Sequence, residues 1–127
     1  MIINTPISLG ELLDKISILK IKQKNIKDEK KLVLINEELS LLESTLRNSI
    51  DDNKILLYLS KLLLINEKLW KIEDDIRDCE RKKQFDENFI KLARSVYINN
   101  DKRSEIKLEI NNYFGSTLIE VKSYEKY

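Results

Sequence analysis

The chain has 127 residues, 42% hydrophobic and 35% charged, with a formal net charge of +1. That length favours a single domain over residues 1–127, and the balance excludes both a disordered chain and a membrane span. His is absent and Cys79 is alone, which removes Cys/His zinc sites, His-based triads and disulfide frameworks and leaves only carboxylates to hold a metal.

Two Gly and one Pro are too few turn residues for a many-stranded β fold, so long helices with few connections are expected. The first helix opens at Ser8 as N-cap with Glu11 three residues on, carries Leu12, Leu13, Ile16 and Leu19 on one face, and fades near Asn25. Asp28 caps a second, with Leu32, Ile35, Leu39, Leu42 and Leu46 at steps of three and four, ending near Asn48. Asp51 or Asp52 caps a third, striped by Leu59, Leu62, Ile65, Leu69, Ile72, Ile76 and Cys79 as far as about Arg81. Such a helix spans about 40 Å, longer than a compact domain of this size is wide, so it should protrude, bend or pair with another subunit. Asp86 caps a fourth helix carrying Phe89, Leu92, Ala93, Val96 and Tyr97. Asn99, Asn100 and Asp101 then interrupt, and Asp101 caps a fifth with Ile106, Ile110, Tyr113 and Phe114, closed by a left-handed Gly115. The expected fold class is all-α: a small antiparallel bundle of about five helices with one long third helix. Residues 116–127 form a short C-terminal tail, extended or flexible.

Residues 31–39 and 61–69 differ at two positions only, which in so restricted an alphabet reads as coincidence. Seven Lys lie between residues 15 and 31 against Asp28 and Glu29, without interleaved aromatics, and read as a solvated flank. Cys79, central in its stripe, reads as a small core residue.

Chemistry concentrates on the third helix, where Trp70, Glu73, Asp74 and Arg77 share a face beside the apolar stripe. Glu73 and Arg77 pair at i, i+4, and a planar guanidinium among carboxylates and an aromatic ring suits an incoming carboxylate or phosphate. Arg94 and Tyr97 repeat the theme, followed by Asn100, Asp101, Arg103 and Lys107. The spacing permits Arg77, Arg94 and Lys107 to converge with Glu73 on a cavity. It equally permits a solvated face of weak ion pairs. In the first case Arg77→Ala costs about 2 to 4 kcal/mol, in the second less than about 0.5 kcal/mol.

Residues 10–16 (GELLDKI), 69–77 (LWKIEDDIR), 92–97 (LARSVY) with Asn100 and Asp101, and Gly115-Ser116 leading to Lys122, Ser123 and Tyr124 resemble a family of small bacterial and phage helical proteins known only as a domain of unknown function. The resemblance covers the chain except for residues 24–65. It implies a helical fold without an established activity, with acid, Arg, Tyr and Asn-Asp types favoured at Glu11, Asp14, Glu73, Asp74, Arg77, Arg94, Tyr97, Asn100 and Asp101. Leu108 stands where a basic residue is expected.

The leading expectation is a homodimeric or other homo-oligomeric binding module. Its ligand-binding residues are Glu73, Asp74, Arg77, Arg94, Tyr97, Asn100, Asp101 and Lys107, with Glu11, Asp14, Lys15 and Trp70 in a secondary role, and they hold a small anionic ligand. No catalytic residue, metal site or cofactor is assigned. One alternative is an all-α nucleotide pyrophosphohydrolase holding Mg²⁺ through Glu73, Asp74 and Asp78. The other is a chorismate-mutase-like enzyme, prompted by the GELLDKI opening and the cations Lys15 and Lys22. The near-neutral charge gives no field to steer the chain to nucleic acid or anionic lipid. An N-terminus without a basic and then apolar leader points to a cytoplasmic, membrane-free protein.

Overall fold

The computed structural model describes residues 1–127 as four helices and no strand: α1 (Leu9–Asn25), α2 (Glu29–Ser49), α3 (Lys54–Arg81) and α4 (Glu87–Phe114). No helix is long and apolar enough to cross a membrane.

The helix boundaries follow the local chemistry. Ser8 Oγ accepts the Glu11 amide of α1 at 3.1 Å, and Asp28 Oδ1 accepts the Lys31 amide of α2 at 3.0 Å. Asp86 Oδ1 accepts both Asn88 and Phe89 amides at the start of α4. For α3 the capping residue is Asn53, whose side chain makes no cap bond; Asp52 Oδ1 instead takes the Lys54 amide at 2.8 Å. Gly115 ends α4 at φ 66°, the left-handed conformation expected of it.

The expected fifth helix does not exist as a separate element. Residues 99–101 lie inside α4, and Asp101 caps nothing. Short polar side chains cost only a few tenths of a kcal/mol each in a helix interior, which continuous packing against α3 outweighs. Asn99 is buried, donates Nδ2 to the Ser95 carbonyl at 2.7 Å, and keeps Oδ1 without a partner. The merger makes α4 as long as α3, 28 residues each, so the third helix is one of a matched pair.

α1 is the hub, meeting each of the other three helices. Its Leu12, Ile16 and Leu19 pack with Ile35 and Leu39 of α2, while Leu13 joins Ile55, Tyr58, Leu62 and Ile110 of α3 and α4. Hydrogen bonds and ion pairs fix the directions. Asn66 faces Asp14 and Glu67 faces Lys24, so α3 runs parallel to α1. Lys107 faces Glu11 and Asn111 faces Gly10, so α4 runs antiparallel. Because α1 has only 17 residues, the end of α3 and the start of α4 continue past it as a two-helix hairpin. Cys79 is buried inside that hairpin, and Phe85 meets Phe89 edge-on at its tip, centroids 5.2 Å apart.

Candidate functional site

Where α1, α3 and α4 meet, the interior is polar. Asp14, 2% exposed, accepts Asn66 Nδ2 on Oδ1 at 2.8 Å and lies 3.3 Å from Arg103 Nη2 through Oδ2. Asn66 Nδ2 also lies 2.7 Å from Ser17 Oγ, which donates to the Asp14 carbonyl. Asn111 Oδ1 accepts the Gly10 amide at 2.7 Å, tying α4 to the first turn of α1. Lys107, its side chain 7% exposed, reaches Glu11 at 2.7 Å, Glu120 of the tail at 2.8 Å and Asp14 at 4.0 Å. Buried charges need such pairing and hydrogen bonding. Burial pulls the Lys107 ammonium toward neutrality, but its bonds to Glu11 and Glu120 prevail and raise its pKa above the ordinary lysine value.

Two cavities open from this core, one on each side of Asn100 and Arg103, which line both. The first, about 450 Å³, is walled by Trp70, Glu73, Asp74 and Arg77 of α3, with Ile18 and Ile21 of α1 behind. The second, about 680 Å³, lies between α4 and the tail, bordered by Tyr97, Asp101 and Lys107 on the helix and by Glu120, Lys122 and Tyr127 opposite.

The spacing on α3 therefore brought together four true neighbours, Trp70, Glu73, Asp74 and Arg77, and the structure adds Asn100 from α4. The proposed convergence of Arg77, Arg94 and Lys107 on Glu73 does not occur. Arg94 borders neither cavity; its Nε donates to Tyr97 Oη at 3.4 Å on the exposed surface. Tyr97 and Asp101 belong to the second cavity, and Lys107 to the buried network. Glu11 and Asp14 sit in that network, whereas Lys15 points to solvent. Asn66 and Ser17 were missed, and Arg103 and Asn111, visible in the sequence beside Lys107, were not assigned to the site. A polar stripe at steps of three and four, Asn100, Arg103, Lys107 and Asn111, was their available signal on α4.

Arg77 and Glu73 meet at 3.6 Å with the Arg77 side chain 71% exposed, a solvated i, i+4 pair. Arg77→Ala is therefore expected to change stability by less than about 0.5 kcal/mol in a urea melt, and a loss above about 2 kcal/mol would contradict the solvated geometry.

The tail is docked by titrating groups. Hydrogen bonds from Lys107 and then Lys122 pull the Glu120 carboxyl from 4.5 down to about 2. The hydrogen bond that Tyr127 Oη donates to Asp101 pushes that phenol from 10.0 up to about 12. The lowered acid stabilises the docked tail above about pH 4.5 and is lost as pH falls toward 2; the raised phenol stabilises it below about pH 10 and is lost toward 12. Tail amide resonances followed by NMR should thus stay constant between those limits and shift at both ends. A shift centred near pH 7 would contradict these contacts.

No three His, Cys, Asp or Glu side chains are arranged to hold a metal ion. The three carboxylates that approach a common point, Glu11, Asp14 and Glu120, do so around the Lys107 ammonium. Compared with family models, curated proteins and solved structures, the chain matches none of them.

Proposed function

We propose that the protein is a helical binding module that holds a small anionic ligand in the Trp70 cavity. The observation that carries this reading is the meeting of two guanidinium groups from different helices, Arg77 of α3 and Arg103 of α4, at one cavity walled by the chain's single Trp. Arg103 is steadied by Asp14 at 3.3 Å and by Asn100 Oδ1 at 3.5 Å, so its guanidinium is held in place at the cavity wall. Arg77, its side chain largely exposed, is the partner free to close on a carboxylate or phosphate. Trp70 offers a ring face to the apolar part of such a ligand, and Glu73 and Asp74 accept its hydrogen-bond donors. The cavity's size lies within the range of small-molecule sites.

Self-association belongs to the same proposal. Val33, Leu34 and Leu41 on α2 and Leu56, Leu57 and Leu64 on α3 are large apolar side chains left exposed by the single chain. Light scattering at high micromolar concentration is expected to return a mass above that of one chain, and a strict monomer would remove this part of the proposal.

The ligand claim is tested by thermal shift with inorganic phosphate, nucleotides and small dicarboxylates at matched ionic strength. A ligand at a hundred times its dissociation constant adds about 2.7 kcal/mol of stability. The shift should fall sharply in Arg77→Ala, whose own stability is unchanged. Equal shifts in both proteins, or none in either, would overturn the assignment.

A further inference from the structure

The tail, residues 116–127, is held to the body in an unusual way. After the Ser116 amide donates to the Asn111 carbonyl, no backbone group of the tail pairs with another backbone group. Its anchors are side chains: Glu120 on Lys107 at 2.8 Å, and Tyr127, which bonds Asp101 and meets the Tyr97 ring edge-on with centroids 5.4 Å apart. Between the anchors Val121 and Tyr124 are largely exposed. A segment with so few buried apolar contacts and so little backbone pairing opens at low free energy.

What opening would uncover is specific. The other two carboxylates near Lys107, Glu11 and Asp14, both belong to α1 and not to the tail. Glu120 is the one carboxylate of the three that comes from a releasable segment. An ammonium has three donors, and loss of Glu120 leaves one of them pointing into a cavity of about 680 Å³ that Arg103 also borders. Lys122, 2.6 Å from Glu120, shows that the same point accommodates a second cation around one carboxylate. The ring of Tyr97 flanks it.

We propose that residues 116–127 form a releasable strap over an oxyanion site on α4, in which the Glu120 carboxylate occupies the place taken by the phosphate or carboxylate of a small ligand when the strap opens. The strap site is separate from the Trp70 cavity; its anchor is Lys107, and it stands whether or not that cavity binds a ligand. Ligand affinity is reduced by the fraction of time the strap is open, so a strap closed about nine-tenths of the time lowers it about tenfold.

The test uses the full-length protein and the tail amides as reporters, in ¹⁵N NMR with relaxation measurements. Inorganic phosphate and succinate are titrated separately against chloride at equal ionic strength. For the wild-type chain, phosphate, succinate or both should raise the mobility of residues 118–126 saturably, and the more effective of the two identifies the ligand class. Chloride should not reproduce the effect; if it does, charge screening alone releases the tail and the site is refuted. Glu120→Gln, which removes the competing charge at a partly exposed position, should free the tail without added anion and tighten anion binding about tenfold, read from shifts of the Lys107 side-chain resonances, since Lys107 borders this cavity and not the Trp70 cavity. Tyr127→Phe, which removes only the hydrogen bond to Asp101 and keeps the ring contact with Tyr97, should tighten it less. A freed tail with unchanged anion affinity in Glu120→Gln would show a simple tether and overturn the proposal. Arg77→Ala should leave all these readouts unchanged, which separates the strap site from the Trp70 cavity.

Discussion

Replacing Asp14 by Ala is expected to destabilise the fold by about 3 to 5 kcal/mol, measured by urea denaturation with an unchanged m-value. Asp14 is the point where three helices share one side chain: Asn66 of α3 donates to Oδ1, Arg103 of α4 approaches Oδ2, and Lys107 lies 4.0 Å away. Removing the carboxylate leaves the buried Asn66 amide with Ser17 Oγ as its remaining acceptor and Arg103 without its counter-ion. A buried polar group deprived of a partner costs on the order of 1 to 3 kcal/mol, more when charged. Asp14→Asn keeps the oxygen facing Asn66 and loses only the charge toward Arg103, so it should recover part of the loss. A cost below about 1 kcal/mol for Asp14→Ala would mean that water already fills this junction.

Gly10→Ala is the second large effect, and its sign runs against helix propensity. In a helix interior Ala is favoured over Gly by about 1 kcal/mol. Here a Cβ at position 10 would stand 2.6 Å from the Lys107 carbonyl oxygen and 3.0 Å from Asn111 Oδ1. The first of these is backbone and cannot rotate away, so α1 and α4 must separate. Separation lengthens the bond from the Gly10 amide to Asn111 and the Lys107–Glu11 pair at once. A net loss of about 2 to 3 kcal/mol is expected. A more stable Gly10→Ala protein would show that the two helices are not in this close register.

These two residues illustrate what the sequence carries and what it does not. The caps at Ser8, Asp28 and Asp86 and the left-handed Gly115 are local chemistry, written within three or four residues, and each was legible. The stripe of α2 was legible for the same reason. Residues 99–101 misled because three short polar residues resemble a break, while the packing of α4 on α3 that overrides them lies far away in the chain. For the site, neighbours on one helix were readable: Trp70, Glu73, Asp74 and Arg77 share a face by periodicity alone. Partners across helices were not. That Arg103, and not Arg94, faces Asp14 depends on the register of α4 against α1, which Gly10 and Asn111 set by close approach. Sequence position alone carries no trace of that contact, since 101 residues separate its two ends.

The central claim, that the Trp70 cavity receives a small oxyanion between Arg77 and Arg103, is tested most directly by the fluorescence of Trp70 itself. It is the chain's single Trp and lines the cavity, so its emission reports that site. Titration with inorganic phosphate and with succinate at constant ionic strength should give a saturable change with at least one of them. In Arg77→Ala the midpoint of that titration should move to about tenfold higher concentration, the loss of one charged hydrogen-bonding partner. Emission that does not respond to either anion, or that titrates identically in wild type and Arg77→Ala, would contradict the account.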